Sequence, residues 1–276
     1  MGRVDTGGLS VMSERDYLSP ILERKARENV RRARHQRVRA AAVVAAERGE
    51  LAYRALKRPL GGAPRIIAEI KRASPSAGSI RPYARGDIRW LANEYVRGGA
   101  AAISVLCDGP GFGGSVLDLR RAAQTITAPL LFKEFVLDEL QVQLAQRVGA
   151  HMVLLIVRAL PGKRLHALCD AVLAAGMAPV VEAANAEEVV VALGTRARIV
   201  GVNARDLRTF RVDPKLAHES LRIIPPDRIA VHMSGVRTHT DFREIAEGRA
   251  DAMLVGESLM RAAEPSAKLR ELIAGA

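Results

Sequence analysis

Two opposite charges stand at the end of the first strongly apolar run of this 276-residue chain. Ile66, Ile67 and Ile70 indicate a strand that is buried on both faces, and Glu69 and Lys71, two positions apart, project from the same face of it. Buried charges are costly unless they are paired or used. The pair is therefore either a structural ion pair or a set of acid and base groups whose pKa values are shifted by burial.

Apolar runs of this kind recur at regular intervals and alternate with amphipathic segments long enough to form crossover helices. Eight of them are predicted to be strands: Arg65–Lys71, Ala100–Asp108, Pro129–Phe135, Met152–Arg158, Ala178–Glu182, Ile199–Arg205, Ile229–Ser234 and Ala252–Gly256. Runs that are apolar throughout indicate a parallel sheet covered on both faces. Eight such units have the strand count and overall size of a (β/α)8 TIM barrel, an α/β fold. The alternative is a doubly wound open sheet, but no glycine-rich dinucleotide loop follows the first strand to support it.

The segments between the predicted strands, and the chain before them, complete this prediction. The crossover helices are expected at Ile88–Val96, Val116–Ile126, Glu139–Val148, Lys163–Ala175, Ala186–Leu193 and Asp241–Glu247, and the segment Asp213–Ile223 is the least clear. Upstream, the stretch Ser13-Glu14-Arg15-Asp16 is predicted to supply the capping residue of a helix that carries Tyr17, Leu18, Ile21 and Leu22 at helical spacing. We therefore expect residues 1–60 to form a tail and a helical extension packed on the barrel, and residues 61–276 to form the barrel itself.

Polar residues gather where a barrel would place its active site, at the C-terminal ends of the strands. They are Glu69, Lys71, Asp108, Lys133, Glu134, Arg158, Glu182, Asn203, Arg205, Ser234 and Glu257. Structural salt bridges could explain one or two of these residues. Charges at one end of nearly all eight strands are more typical of a catalytic site.

The last two predicted strands run into loops that contain glycine, Ser234-Gly235-Val236 and Gly256-Glu257-Ser258. Glycine allows backbone N–H groups to approach a ligand closely, and the loops after strands seven and eight are a recurrent phosphate site in barrels. Either motif alone is weak. Together, at these positions, they predict a phosphorylated small-molecule substrate.

The formal net charge of +12 is concentrated at the start of the chain, where the first 60 residues hold 14 Lys and Arg against 7 Asp and Glu. Arg31–Arg39 is rich in arginine but has no aromatic residues for base stacking, so a solvated helix face is favoured over nucleic-acid binding. No apolar run is long enough to span a membrane and no signal-peptide core is present, so we expect a cytoplasmic protein. Cys107 and Cys169 lack metal-site spacing and are predicted to be buried free thiols.

In this order, the motifs resemble those of indole-3-glycerol phosphate synthase, a barrel enzyme of tryptophan biosynthesis. The matching stretches are Ile66–Ser76, Ala101–Leu106, Phe112–Ser115, Leu131–Phe135, Val181–Glu182, Val200–Leu207 and Leu254–Met260. The resemblance implies a carboxy-lyase without cofactor or metal. It would close the indole ring of 1-(2-carboxyphenylamino)-1-deoxyribulose 5-phosphate and release carbon dioxide and water.

The resemblance also implies roles for particular residues. Lys133 would be the general acid of ring closure, and Lys71 would hold the anthranilate carboxylate and donate a proton in the dehydration. Glu182, with Glu69 as its partner, would stabilise developing positive charge or take a proton. The remaining implied residues bind substrate: Asn203, Arg205 and Ser234 would position it, Phe112 would pack on its aromatic ring, and Ser74 with backbone at Gly235, Gly256 and Glu257 would hold phosphate.

The chain departs from the family pattern at three positions. The family has Glu just before the Ser-Gly that follows strand seven, whereas this chain has Met233. His232 could replace that carboxylate, but strand alternation points it to the opposite face, which favours a structural histidine. His151 replaces an Asp at the stability end of the barrel, where we expect a local effect only, and Glu134 replaces an Asp with its charge kept.

Three functions are consistent with these residues. The first is an active synthase, expected to be a monomer or a weak homo-oligomer. The second is a divergent phosphosugar-binding barrel with altered chemistry, such as an isomerase, which the combination of Lys71, Lys133, Glu182 and Asn203 argues against. The third is a non-catalytic descendant that binds a phosphorylated ligand or, through its basic N-terminal helix, nucleic acid.

Overall fold

Eight parallel strands close into a barrel in the computed structural model, which describes residues 16–35, 46–75, 77–81, 87–209 and 211–274. The barrel strands, here the first to the eighth in chain order, are Arg65–Ile70, Ala102–Leu106, Leu130–Lys133, Met152–Ile156, Ala178–Ala183, Ile199–Asn203, Ile229–Met233 and Ala252–Val255. Each strand pairs with the next, and the eighth closes on the first with Ala252 opposite Arg65. The predicted TIM barrel with an N-terminal helix is confirmed, and the open-sheet alternative is wrong.

Most strands are shorter than predicted because the polar residues at their ends leave the sheet. Lys71, Arg158, Arg205 and Ser234 all lie just beyond the last strand residue, in the connections on the C-terminal side. Glu257, expected in the loop after the eighth strand, begins a short helix instead. The effect of these shifts is to move the charged side chains from the sheet onto the rim of the barrel.

Helices surround the barrel and follow its strands in turn. They are α1 Leu18–His35, α2 Ala46–Leu56, α3 Asp87–Arg97, α4 Gly109–Phe112, α5 Val116–Ala123, α6 Glu139–Val148, α7 Gly162–Ala174, α8 Ala186–Leu193, α9 Pro214–Leu221, α10 His239–Ala246, α11 Glu257–Arg261 and α12 Pro265–Ala274. The unclear segment Asp213–Ile223 forms α9, because Asp213 caps it by accepting a hydrogen bond from Leu216 N (3.0 Å) and proline occupies its first turn. A short hairpin, in which the two-residue strand Ala73–Ser74 pairs antiparallel with Gly78–Ser79, follows the first barrel strand and was not predicted.

Side chains alternate between the two faces of each strand, and this alternation divides the core in two. Residues such as Ile66 and Ala68 point outwards and pack against the ring of helices. Ile67 lies between them in sequence and points into the barrel interior, where Met233 also packs. The inward face of the first strand therefore carries Glu69 as its last buried residue.

Helix α1 lies across the mouth of the barrel. It begins at Leu18, and Asp16 caps it by accepting hydrogen bonds at Oδ1 from Leu18 N (3.0 Å) and Ser19 N (3.4 Å). Residues 13–15 of the predicted capping stretch lie outside the described residues. Tyr17 N donates to Arg208 O (3.1 Å), so the start of the helix contacts the connection after the sixth strand. The predicted tail, residues 1–13, is also outside the described part of the chain.

The middle of α1 is joined to the barrel by buried charges. Lys25, which is 1% exposed, places its Nζ 3.0 Å from Asp108 Oδ1 and 3.1 Å from Glu134 Oε2. One turn further, Asn29 Nδ2 donates to Gln141 Oε1 (2.7 Å). These contacts tie the extension to the connections that follow the second and third strands, which also carry candidate site residues.

Helix α2 covers the opposite end of the barrel. Ala52, Tyr53 and Leu56 are buried there, and the Arg198 guanidinium lies 3.8 Å from the centre of the Tyr53 ring. Cys107 and Cys169 are buried free thiols, which confirms that prediction. Among the helices that the structure describes, none combines the length and the apolar character that a membrane crossing requires.

Candidate functional site

A cleft of about 700 Å³ opens at the C-terminal ends of the strands, where the polar residues were expected to gather. Ten of the predicted site residues line it: Glu69, Lys71, Ser74, Phe112, Lys133, Glu182, Asn203, Arg205, Ser234 and Glu257. The other two, Gly235 and Gly256, line an adjoining cavity of about 390 Å³, which shares Lys71 and Arg205 with the cleft. The structure thus brings all the predicted site residues together, and their individual roles stay predictions.

The first strand contributes an ion pair. Lys71 Nζ lies 2.9 Å from Glu69 Oε1, and the Glu69 side chain is 5% exposed. Burial alone would raise the pKa of the Glu69 carboxyl, but the charges of Lys71 and Lys133 outweigh it and hold that pKa below its ordinary value. Gly256 makes room for this carboxylate, because a Cβ atom at that position would come within 2.7 Å of Glu69 Oε1.

A second ion pair stands on the third and fifth strands. Lys133 Nζ lies 3.1 Å from Glu182 Oε2, and Asn203 Nδ2 donates to the other oxygen, Glu182 Oε1, at 3.0 Å. Asn203 Oδ1 in turn accepts from the backbone N–H of Arg205 (3.0 Å). Burial would lower the pKa of Lys133, but the carboxylates of Glu182 and Glu69 outweigh it and raise that pKa, so the ammonium stays protonated at neutral pH. The arrangement holds a proton donor beside a carboxylate whose orientation is fixed.

Met233 lies beneath these charges on the seventh strand, completely buried. Its Sδ is 3.9 Å from Lys133 Nζ. Its terminal methyl fills the space beside Gly201 on the sixth strand, where an added Cβ atom would clash with it. The position that carries Glu in the family pattern is therefore filled by a thioether packed against a glycine and the candidate acid.

His232 faces the other way, as strand alternation predicted. It is 1% exposed, and its Nε2 lies 3.0 Å from Ser234 O. Its Nδ1 is buried without a hydrogen-bond partner in the described part of the chain, and burial lowers the pKa of His232 to about 4. A neutral imidazole outside the cleft does not replace the missing carboxylate. His151 also has a local role only, because its ring nitrogen Nδ1 accepts from Leu130 N (3.2 Å).

The candidate phosphate site is built from an unusual backbone. Ser234 and Gly235 both have positive φ, 71° and 88°, and Ser234 is the one non-glycine residue of the described chain in that region. Such a conformation is uncommon for a residue with a side chain and is often found at functional sites. Ser258 Oγ donates to Val236 O (3.1 Å), which ties the loops after the seventh and eighth strands together.

Two aromatic rings also line the cleft and form what is here called its aromatic wall. The rings of Phe112 and Phe135 are 6.1 Å apart and tilted by 34°. Phe112 closes helix α4, which Asp108 caps by accepting from Gly111 N (2.8 Å). Asp108 also binds Lys25 of α1, so the N-terminal extension indirectly supports this wall.

Sequence reasoning missed three features of the site. Phe135 lines the cleft, but it was interpreted only as strand. Glu134 turns its carboxylate to Lys25, a contact across 109 residues of chain that no local pattern reveals. Arg237 lines the smaller cavity, and its position two residues after Gly235 was an available signal. In the described residues, no group of three or more His, Cys, Asp or Glu side chains is arranged to hold a metal ion.

The comparisons with known proteins agree on one family. The model of the family described as indole-3-glycerol phosphate synthase matches residues 18–272. The chain is 43% identical over 208 residues to the indole-3-glycerol phosphate synthase of Koribacter versatilis (strain Ellin345), which covers 75% of this chain and 79% of that protein. It is 41% identical over 219 residues to the synthase of Mycobacterium ulcerans (strain Agy99), with 79% of each chain covered.

Solved structures show the same fold at low sequence identity. A tryptophan synthase α-subunit from Pyrococcus furiosus matches with a TM-score of 0.57 and 16% identity, over 75% of this chain and 97% of that one. A thiamine phosphate pyrophosphorylase from Pyrococcus furiosus matches with a TM-score of 0.55 and 16% identity, over 76% and 93% of the two chains. At such identities the likeness supports the barrel fold alone.

Proposed function

The chain belongs to the indole-3-glycerol phosphate synthase family, and on this premise we propose which of its side chains bind the substrate and move its protons. The enzyme is a carboxy-lyase of tryptophan biosynthesis. It converts 1-(2-carboxyphenylamino)-1-deoxyribulose 5-phosphate into indole-3-glycerol phosphate, carbon dioxide and water. Loss of catalysis, the alternative raised by Met233, is not favoured by the family match.

Ring closure is assigned to Lys133. The ring carbon that bears the substrate's carboxylate attacks the ketose carbonyl carbon, and the carbonyl oxygen takes a proton from the Lys133 ammonium. The raised pKa of Lys133 keeps this proton in place until the oxygen becomes basic in the transition state. Glu182, 3.1 Å away, supplies negative charge beside the cationic intermediate. The Lys133–Glu182–Asn203 chain of contacts is the observation that carries this assignment.

Decarboxylation and dehydration follow in the same cleft. Carbon dioxide leaves with its bonding electrons going to the ring, which neutralises the positive charge. The hydroxyl formed in the first step then leaves as water with a proton from Lys71, while Glu182 takes the proton from the neighbouring carbon. Before these steps, Lys71 also pairs with the substrate carboxylate, and Glu69, at 2.9 Å, holds the ammonium in position.

Binding is assigned to the rest of the rim. The aromatic ring packs against Phe112, and Asn203, Arg205 and Ser234 orient the sugar chain beside it. The phosphate enters the smaller cavity, where the backbone of Gly235, Gly256 and Glu257 holds it, and Ser74 contacts it from the adjoining cleft. The positive φ of Gly235 supports a close approach of its N–H. No residue of this set needs a metal or an organic cofactor to act.

We further propose that the protein works in the cytoplasm as a monomer or a weak homo-oligomer and does not bind nucleic acid. The substrate is a small anionic molecule, and the cations around the cleft suit it. In α1, Arg31 is exposed, as expected for a solvated helix face. A steep salt dependence of binding to random-sequence DNA at physiological ionic strength would contradict this part of the proposal.

The decisive experiment is a turnover assay of the purified wild-type protein. Mixed with the carboxyphenylamino substrate alone, it is expected to produce indole fluorescence and one carbon dioxide per product. A protein that binds the substrate yet gives an isomerised sugar phosphate, or no product, would refute the proposed function.

A further inference from the structure

Arg237 is a basic residue at the phosphate cavity that neither the motifs nor the proposed mechanism uses. It follows Val236 in the connection after the seventh strand, its side chain is exposed, and it lines the cavity together with Gly235 and Gly256. The backbone N–H of Arg237 donates to Asp241 Oδ2 (2.8 Å), which also accepts from Thr238 N (2.9 Å) in the capping box of α10. The peptide is therefore fixed while the long side chain borders the cavity.

The charges around this cavity are unevenly paired. Of its two carboxylates, Glu69 pairs with Lys71 at 2.9 Å and Glu257 with Arg261 at 3.1 Å. In the described part of the chain, the Arg237 guanidinium makes no ion pair. Burial lowers the pKa of Arg205, and the nearby charge of Arg237 lowers it further against the influence of Glu257. Arg205 and Arg237 line the same cavity, and an anion between two positive charges is favourable to both.

We propose that Arg237 is a further phosphate-binding residue of this enzyme, which holds the ester dianion from the solvent side while the glycine loops hold it from the barrel side. The inference rests on the proposed function for its ligand, the phosphate of the substrate. It adds a cation whose planar fork can donate two hydrogen bonds to phosphate oxygens.

The alternative role for Arg237 is that of a solvated surface arginine. The two roles differ in what happens to phosphate affinity when the charge is removed. A charge-assisted hydrogen bond to phosphate, discounted for the exposure of the side chain, corresponds to about a tenfold loss of affinity. A surface arginine contributes no more than any other positive charge at a similar position.

The test compares Arg237→Gln with Arg237→Lys and with a matched control, Arg243→Gln. Arg243 is also exposed and lies on the following helix, but it lines neither cavity. For each protein, kcat, KM and the competitive inhibition constant of inorganic phosphate are measured, and the phosphate dissociation constant is obtained by calorimetry. Arg237→Gln is expected to raise KM, the phosphate inhibition constant and the phosphate dissociation constant about tenfold, with kcat unchanged. Arg237→Lys should raise the same three constants by a smaller factor, because the positive charge remains while the planar guanidinium is lost.

Unchanged phosphate constants in Arg237→Gln, or an equal rise in Arg243→Gln, would overturn the proposal. The calorimetric arm needs no turnover, so it separates this result from failure of the proposed function. A wild-type protein that binds phosphate without forming product would refute the function alone. If the wild-type protein forms product but Arg237→Gln binds phosphate as tightly as the wild type, only the proposed role of Arg237 is refuted.

Discussion

Replacing Met233 with glutamate places a carboxylate beside the proposed general acid. Glutamate and methionine have similar length and volume, so the new oxygens would lie near the present Sδ, which is 3.9 Å from Lys133 Nζ. The site would then hold three carboxylates against the same cations. We expect Met233→Glu to raise kcat, because the cationic intermediate of ring closure gains a negative neighbour.

The magnitude follows from two opposing contributions. A well-placed charge in a water-poor site contributes about 2.7–4 kcal/mol to a transition state. Part of this gain is offset, because the same carboxylate stabilises the Lys133 ammonium before it gives up its proton. Two unit charges about 4 Å apart attract by about 1 kcal/mol in water and by about 4 kcal/mol at an effective dielectric constant near 20, and an offset between these limits leaves a net gain. We therefore expect a rise in kcat of about tenfold, equivalent to about 1.4 kcal/mol.

The stability of the Met233→Glu variant should differ little from that of the wild type. Met233 is completely buried, and an unpaired carboxylate there would cost several kcal/mol. Lys133 supplies a partner, and the attraction offsets most of that cost. We expect the melting temperature to stay within about 5 °C of the wild-type value, which corresponds to less than about 2 kcal/mol.

The assay measures kcat by indole fluorescence and the melting temperature of the same samples, with Met233→Gln as a control of matched shape and no charge. A lower kcat in Met233→Glu, with stability unchanged and Met233→Gln unaffected, would refute this reasoning, because it would show that a negative charge beside Lys133 hinders the reaction. A large loss of stability in Met233→Glu alone would show that Lys133 does not pair with the new group.

The phosphate loops and the buried histidine give further predictions. Gly235→Val should raise KM, because it strains a residue with a φ of 88°. Gly256→Val should raise KM and also lower kcat, because the new side chain would collide with Glu69. An unchanged KM in both variants, with normal circular dichroism spectra, would count against the placement of the phosphate. The pKa of His232 lies at about 4 in the folded protein and near 6.5 in the unfolded chain. Between these pH values the unfolded chain binds one more proton than the folded protein. Folding stability is therefore lost as the pH falls from about 6.5 to about 4. From pH 7 to pH 4, the free energy of unfolding of the wild type, measured by urea unfolding, should fall by about 3 kcal/mol more than that of His232→Gln. An equal fall in both proteins would show that the imidazole is not buried in its neutral form.

Much of the fold was accessible from sequence because burial on both faces leaves a continuous apolar run, and eight such runs occur here. The strand ends were less accessible. Arg158 and Arg205 continue apolar segments, yet each turns out of the sheet, Arg158 to pair with Glu188 (2.9 Å) and Asp206 (2.6 Å). Partners on other elements decide where such strands stop.

The site divides in the same way. Residues that share a strand end, such as Glu69 and Lys71, could be paired from spacing alone. The contact of Lys25 with Glu134 could not, since it joins α1 to the connection after the third strand, and a lysine in an arginine-rich helix suggests exposure. The packing of Met233 on Gly201 was also hidden, because it depends on the alignment of two neighbouring strands and not on either sequence separately.

The most direct test of the mechanism is the kcat of Lys133→Ala, with Lys163→Ala, an exposed lysine on α7, as the control. If the Lys133 ammonium delivers the proton in ring closure, its removal should lower kcat by about 10²–10⁴-fold while the circular dichroism spectrum and the Lys163→Ala control stay at wild-type values. A folded Lys133→Ala variant that keeps more than about a tenth of wild-type kcat would contradict the role of Lys133 as the general acid.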